Sequence, residues 1–149
     1  MTGEVVIDAS AVFDFLVPSG EQRHADPVLG GLRRTPPIVL LAPDIVLLEV
    51  GSALRRAVLR GDLPPEAGDR AISRLGQLPI ATVTSGNVLE EAWALRGSLT
   101  IYDAAYAALA AGLRLPLVTA DGRLARAARD LGLEAHELGV DAPEQLLGG

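Results

Sequence analysis

Short apolar runs closed by a polar or turn residue recur along this chain, with helical stretches between them, and that alternation leaves few folds open. Glu4 to Ile7 reads EVVI and is closed by Asp8; IVLLAP, IATV and LPLVTAD follow, and LEAHEL is a short last run. Runs this brief, rich in branched residues and bounded by polar ones, read as buried strands. Between them SAVFDFL, much of Glu21 to Arg34, a stretch from Pro43-Asp44 to about Arg60 with Asp44 as its cap, one from Pro64-Pro65 to Leu78, Ser85 to Arg96, an Ala-rich run stopped at Gly112, and GRLARAARDLG read as helices. Strands alternating with helices imply an α/β fold: a small, mostly parallel sheet with helices on both faces, three layers in all. With no repeat, low-complexity tract or linker, residues 1–149 are expected to form one domain.

A chain of 149 residues, 49% of them hydrophobic, has enough apolar surface for an ordered core. There is no cysteine, so neither disulfides nor thiolate chemistry is available. No uncharged apolar stretch is long enough for a membrane span. The opening MTGEVVIDAS has an acid at Glu4 and neither a basic flank nor a small-residue cleavage site, so no leader is expected and the cytoplasm is the expected compartment. The net charge is −6, and all 13 basic residues are arginine. That balance counts against broad nucleic-acid binding, which draws most of its affinity from phosphate contacts. With aromatics at 3%, a base-stacking sheet is not expected either. Any role with nucleic acid must work through local arginines and metal ions.

The chemistry-bearing residues are acids. Asp8 follows the first strand in VVIDAS, and Asp121 follows the fourth in LVTAD. Asp103 stands in front of an Ala-rich helix in TIYDAAYAALAAGL. Glu49 lies within PDIVLLEVGSALRRA, where its neighbours three and four positions away are Val46, Ile45, Ser52 and Ala53, so it sits on a mostly apolar face. Each has a plain structural explanation: Asp8, Asp121 and Asp103 as helix caps, Glu49 as a helix-edge acid or an arginine partner. Their joint placement points further. In open parallel sheets ligand sites form beyond the carboxyl ends of the strands, and all four acids can reach that edge. Two like charges about 4 Å apart repel by roughly 4 kcal/mol at an effective dielectric near 20, so protons or cations must compensate. An all-oxygen donor set without a cysteine or histidine cluster suits Mg²⁺ or Mn²⁺, ions that hold phosphates and activate water.

The segments VVIDASAVFDFL, PDIVLLEVGSAL, TIYDAAYAALA and LVTADGRLARAA, in this order and spacing, resemble the four acidic motifs of PIN-domain ribonucleases, most closely the VapC-type toxins of bacterial toxin–antitoxin pairs. The resemblance covers nearly the whole chain. It implies a PIN-like fold and a Mg²⁺-dependent endoribonuclease, with Mn²⁺ able to substitute. It also implies homodimers and inhibition by a cognate VapB-type antitoxin. Carried over residue by residue, Asp8, Glu49, Asp103 and Asp121 are the catalytic, metal-holding acids. Ser10 and Thr119 match small hydroxyls that orient a carboxylate or a metal-bound water in the family; as turn or cap hydroxyls they would need no such role. Tyr102 and Tyr106 flank Asp103 as in many relatives, with Tyr106 expected in the core. Ser52 stands where many relatives have Asn, and Gly122 follows Asp121 where a second acid would supplement it.

The remaining features are assigned locally. The arginines group as Arg33-Arg34, Arg55-Arg56-Arg60 and Arg123-Arg126-Arg129. They are solvated helix faces or phosphate contacts for RNA, and Arg123 and Arg126 are the better RNA-binding candidates because their helix starts at the acids. His24 and His136 match no metal spacing and suit surface or local hydrogen-bonding roles; Trp93 suits the core or an interface, and Asp14 an exposed face. The competing functions are a housekeeping RNA-processing PIN nuclease, which usually carries extra RNA-binding modules, and a non-catalytic PIN-fold binding module, which has no need of four repelling carboxylates. A haloacid-type phosphatase needs a second Asp two residues after the first, where this chain has Ser10.

Overall fold

The computed structural model describes residues 3–17 and 37–142. The helix expected within Glu21 to Arg34, with His24, Arg33 and Arg34, lies outside the described residues. The elements are β1 (Glu4–Ile7), α1 (Ala9–Leu16), β2 (Val39–Pro43), α2 (Val46–Leu59), α3 (Pro65–Gln77), β3 (Ile80–Val83), a 3₁₀ turn (Ser85–Val88), α4 (Leu89–Ala94), α5 (Ile101–Leu113), β4 (Leu117–Thr119), α6 (Gly122–Asp130) and β5 (Ala135–Glu137).

The strands form one sheet in the order β3-β2-β1-β4-β5, and every pairing is parallel. Central β1 takes Val6 against both Leu41 of β2 and Leu117 of β4. Its EVVI run is buried on both faces, as a central parallel strand must be: Val5, Val6 and Ile7 are all core residues. The chain adds β2 and β3 on one side of β1, then crosses to add β4 and β5 on the other. With crossovers of the usual right hand, that reversal puts α1–α3 on one face and α4–α6 on the opposite one. The helix contacts agree, since α1 meets α2 and α2 meets α3 while α5 packs on α4. The strand order thus switches between β1 and β4, where an open α/β sheet forms its crevice.

Helix α5 explains its own composition. Ala104 through Ala110 is buried without a break, and the helix lies against β1, β2 and β4. Small side chains let the backbone approach the sheet closely. Replacing Ala110, 1% exposed and two turns from the acids, by leucine should overpack this contact and cost about 1–3 kcal/mol. A thermal melt followed by circular dichroism checks this; an unchanged melting temperature would mean that α5 has room to spare.

Three boundaries differ from the sequence-based expectation. Asp44 does not cap α2: the cap position is Ile45, without a side-chain hydrogen bond. The Asp44 carboxylate instead accepts from the backbone N–H of Ser85 at 3.1 Å and from the Ser85 hydroxyl, tying the start of α2 to the turn after β3. That tie, with the weak helix formers Gly86 and Asn87, breaks the expected Ser85 to Arg96 helix into a 3₁₀ turn and the short α4. Finally α5 passes through Gly112 and ends at Arg114, which takes the left-handed conformation at φ 55° while the N–H of Leu115 returns to the Ala110 carbonyl at 3.0 Å.

Candidate active site

Asp8 sits at the carboxyl end of β1, beside β4, at the switch in strand order. It is 5% exposed. Its carboxylate accepts from the Ala11 backbone N–H at 3.0 Å, which makes it the N-cap of α1. It also accepts from the Ser10 hydroxyl at 2.8 and 3.0 Å and from the Thr119 hydroxyl at 2.7 Å. Thr119 in turn accepts from the Asp121 N–H at 3.0 Å, and Ser10 from the Ala120 N–H at 2.9 Å. The two hydroxyls lie 3.1 Å apart. Ser10 and Thr119 therefore clamp Asp8 to the β4–α6 turn that carries Asp121. Burial lifts the Asp8 pKa to about 6 despite these hydrogen bonds, and the nearby Asp103 charge adds to the rise.

The other three acids come from three helix starts. Glu49 lies in the first turn of α2, part-buried, with Oε1 accepting from the Tyr106 hydroxyl at 2.7 Å. Asp103 lies in the first turn of α5 but does not cap it: the cap is Thr100, whose hydroxyl accepts from the Asp103 N–H at 3.2 Å. The Asp103 carboxylate is thereby left to face its neighbours. Asp121 caps α6, accepting from the N–H groups of Arg123 and Leu124 at 2.9 and 3.3 Å. Burial raises the pKa of Glu49, against the Tyr106 hydrogen bond, and the Asp103 charge raises it further. Burial likewise raises Asp103, opposed by Arg123 and assisted by the Asp121 charge. These mutual effects place the acids in one electrostatic cluster. For Asp8 and Asp121, cap and site are not alternatives, since a side chain that caps a helix at the strand edge also stands in the crevice.

One cation stands among them. The Arg123 guanidinium lies 3.3 Å from Asp103 and 3.6 Å from Asp121, on a side chain 69% exposed. It partly neutralises the cluster while staying able to swing out. Among the described residues, no three histidine, cysteine, aspartate or glutamate side chains close into a ready-made metal cage. The donor set still fits a hard cation of the magnesium kind, which takes one or two carboxylates and keeps several waters. Crowded acids with raised pKa values gain from such an ion. Arg123 and the ion would compete for Asp103 and Asp121. Arg123→Ala is therefore expected to tighten Mn²⁺ binding severalfold in an electron paramagnetic resonance titration; weaker binding would mean that the arginine organises the acids instead of screening them.

A PIN domain family model matches residues 5–130, a span that includes all four acids. The chain belongs to the PIN-domain family. It resembles the VapC branch closely: ribonuclease VapC1 of Mycobacterium tuberculosis is 41% identical over 125 residues, covering 83% of this chain and 90% of that protein. Among solved structures, PAE2754 of Pyrobaculum aerophilum superposes with a TM-score of 0.62 at 26% identity, over 89% of this chain and 83% of that one. M. tuberculosis VapC20, described as a sarcin–ricin loop cleaving toxin, has the same fold, with a TM-score of 0.63 at 16% identity over 83% and 94% of the two chains. The chain is thus a VapC-type PIN domain, and its all-parallel five-stranded sheet is the PIN-like α/β fold.

The remaining residues of this PIN domain fall partly as expected and partly elsewhere. Tyr106 is core, at 1% exposure, and is also the residue that orients Glu49; its spacing of three from Asp103 on one helix face was the available signal. Arg123 lies against Asp103 and Asp121 on a side chain that is still 69% exposed, and Arg129 pairs with Asp141 at 2.5 Å. Arg126 is exposed. A side chain at Gly122 would meet Glu137 Oε1 at 2.6 Å, so the flexible Glu137 carboxylate would have to move aside for a second acid after Asp121. His136 is buried on β5 instead of at the surface, and burial lowers its pKa. Trp93 is 59% exposed with the Arg96 guanidinium 4.9 Å over its ring, so it is not core. Asp14 is part-buried, not exposed. No helix among the described residues is long and apolar enough to cross a membrane.

Proposed function

We propose that this PIN domain is a metal-dependent endoribonuclease, the toxin of a toxin–antitoxin pair, and that it hydrolyses RNA at Asp8, Glu49, Asp103 and Asp121 with Mg²⁺ or Mn²⁺. The observation that carries the reading is Asp8: a carboxylate buried at the strand switch, clamped by two hydroxyls and a backbone N–H, and electrostatically tied to Asp103. The likeness to proteins named VapC ribonucleases supports the substrate class.

A bound Mg²⁺ or Mn²⁺ would supply charge to the phosphate and a lowered pKa to a water molecule. Asp8, Glu49, Asp103 and Asp121 are the residues that would hold it. The chain's own part is positioning. Thr119 links Asp8 to Asp121 through one hydroxyl. Tyr106 fixes Glu49 and stays a donor, because burial and the Glu49 carboxylate hold its phenol far above the usual range. Thr100 takes the capping duty and so leaves Asp103 for the site. Arg123 balances charge on the acids until the site is filled. With water as nucleophile, the products are a 5′-phosphate and a 3′-hydroxyl.

The test is cleavage of structured RNA with Mg²⁺, with Mn²⁺ and in EDTA, reading the new termini. Cleavage that survives EDTA, or 2′,3′-cyclic phosphate ends, would sink the mechanism. The toxin role, a cytoplasmic site of action and a homodimeric state belong to the same proposal. Co-expression with the product of the adjacent upstream gene should yield a larger complex containing a VapB-type antitoxin. If that product never co-purifies, the toxin role fails while the nuclease reading stands.

A further inference from the structure

Two cavities share Glu49 and Arg56 in their linings. One, of about 370 Å³, is lined by Ile45, Leu48, Ser52 and Tyr102 together with Glu49 and Arg56. The other, of about 400 Å³, is lined by Ser10, Phe13, Asp14 and Ala120 together with the same Glu49 and Arg56. Glu49 and Arg56 are two helical turns apart and share one face of α2. The Arg56 guanidinium is steadied by the Ser52 hydroxyl at 3.0 Å. Among the described residues no carboxylate lies within ion-pair distance of Arg56, whereas Arg123 is taken up by Asp103 and Asp121. At the first cavity, Tyr102, which precedes Asp103, is 59% exposed and Leu48 79% exposed.

We propose that this face is a nucleotide-binding subsite for single-stranded RNA, in which Arg56 contacts a backbone phosphate and a base stacks on Tyr102. The proposal rests on the ribonuclease reading and names where its substrate lies. Each cavity is of a size to take about one nucleoside, and a strand crossing Glu49 fills both. A guanidinium held by a neutral hydroxyl keeps its charge for a phosphate, which matters in a chain of net charge −6. An exposed aromatic with an apolar neighbour makes a wall for a base of any identity. The bases of a duplex are stacked on each other and unavailable to it, so the strand must be single. Arg56 and Tyr102 are positioning residues here.

The experiment measures binding apart from hydrolysis. A fluorescein-labelled, mixed-sequence single-stranded RNA is titrated with the protein in EDTA, at several salt concentrations, for wild type, Arg56→Gln, Tyr102→Ala and Tyr102→Phe. Arg56→Gln should weaken binding by about tenfold and reduce the slope of affinity against salt by about one phosphate contact. Tyr102→Ala should weaken binding by about fivefold or more, and Tyr102→Phe should restore it, because the ring and not the hydroxyl stacks. Ultraviolet crosslinking of a 4-thiouridine-containing RNA should map to Tyr102. All variants should melt like wild type, since both side chains are exposed. Equal affinities for all four proteins, or a wild type that does not bind the RNA, would overturn the subsite. So would variants that change the sedimentation of the protein but not its RNA affinity, which would mark the face as a protein interface. Cleavage of the same RNA with Mg²⁺ is scored separately. Variant-sensitive binding without cleavage supports the subsite and sinks the nuclease; cleavage with variant-insensitive binding does the reverse.

Discussion

Asp8→Ala is expected to lower the rate of RNA hydrolysis by at least about a hundredfold, the cost of removing one preorganised group that stabilises charge at the transition state. Of the four acids, Asp8 is the one most completely immobilised. Its oxygens are engaged by Ser10, Thr119 and the Ala11 N–H, and it is the most buried of the set. An acid held this firmly reorganises little when a cation and a phosphate arrive. Thr119→Val, which removes the hydroxyl joining Asp8 to the Asp121 backbone but keeps the shape, should cost less, about 10–100-fold, as for groups that orient a metal-holding carboxylate. The ordering of the two variants is the informative part. Single-turnover cleavage with Mg²⁺, beside a thermal melt to confirm folding, measures both. A folded Asp8→Ala protein that cleaves at the wild-type rate would remove the acid cluster from the mechanism. A Thr119→Val variant more damaged than Asp8→Ala would mean that the hydroxyl acts directly.

How much of this arrangement is legible in the chain depends on how local its cause is. EVVI followed by Asp8, and LVT followed two residues later by Asp121, announce strand ends directly, and the parallel topology then carries both acids to one edge. Helix periodicity puts Glu49 on a mostly apolar face of α2, but it cannot show what that face meets. The partner is Tyr106, 57 residues away on a helix across the sheet edge. Arg123 is similar: its helix is readable, yet whether its guanidinium turns outward to RNA or back to Asp103 is decided by charges from another segment. The Asp103 cap question was open from the residues alone, although a local signal existed. Thr100, three residues ahead of Asp103, has the spacing of a capping box, and the structure uses its hydroxyl half. The failures at Asp44 and Gly112 share a cause, because a tertiary tie to Ser85 and the turn toward β4 override residue preference.

The same burial that makes Asp8 useful makes it costly, which gives a second expected result: in EDTA at pH 7, Asp8→Asn should be more stable than wild type by about 3 kcal/mol. The figure follows from a pKa raised from 3.8 to about 6, at about 1.4 kcal/mol per unit. The sign is fixed by which state holds the proton. Between pH 3.8 and 6 the folded carboxyl keeps a proton that the unfolded one has released. Its favourable contribution is therefore complete below the unfolded pKa and is lost as pH rises through 6. Asparagine is neutral throughout, remains a good N-cap and keeps an oxygen for the Ala11 N–H, while the Ser10 and Thr119 hydroxyls can turn to accept. The advantage of Asp8→Asn should fade as pH falls from about 6 toward 3.8. His136, held low by burial, and Asp141, held low chiefly by the Glu137 N–H and also by Arg129, both withdraw stability as pH falls. They do so in both proteins, so the difference between the two pH profiles isolates Asp8. Glu49 and Asp103 act in the same direction as Asp8 and remain in both. Adding Mg²⁺ or Mn²⁺ should stabilise wild type by mass action and the variant much less, narrowing or reversing the gap. Urea unfolding across this pH range, with and without the ion, measures every term. If Asp8→Asn unfolds more easily than wild type at pH 7 in EDTA, the ionised carboxylate stabilises the fold through the Ser10 and Thr119 hydroxyls instead of standing as an uncompensated cation ligand.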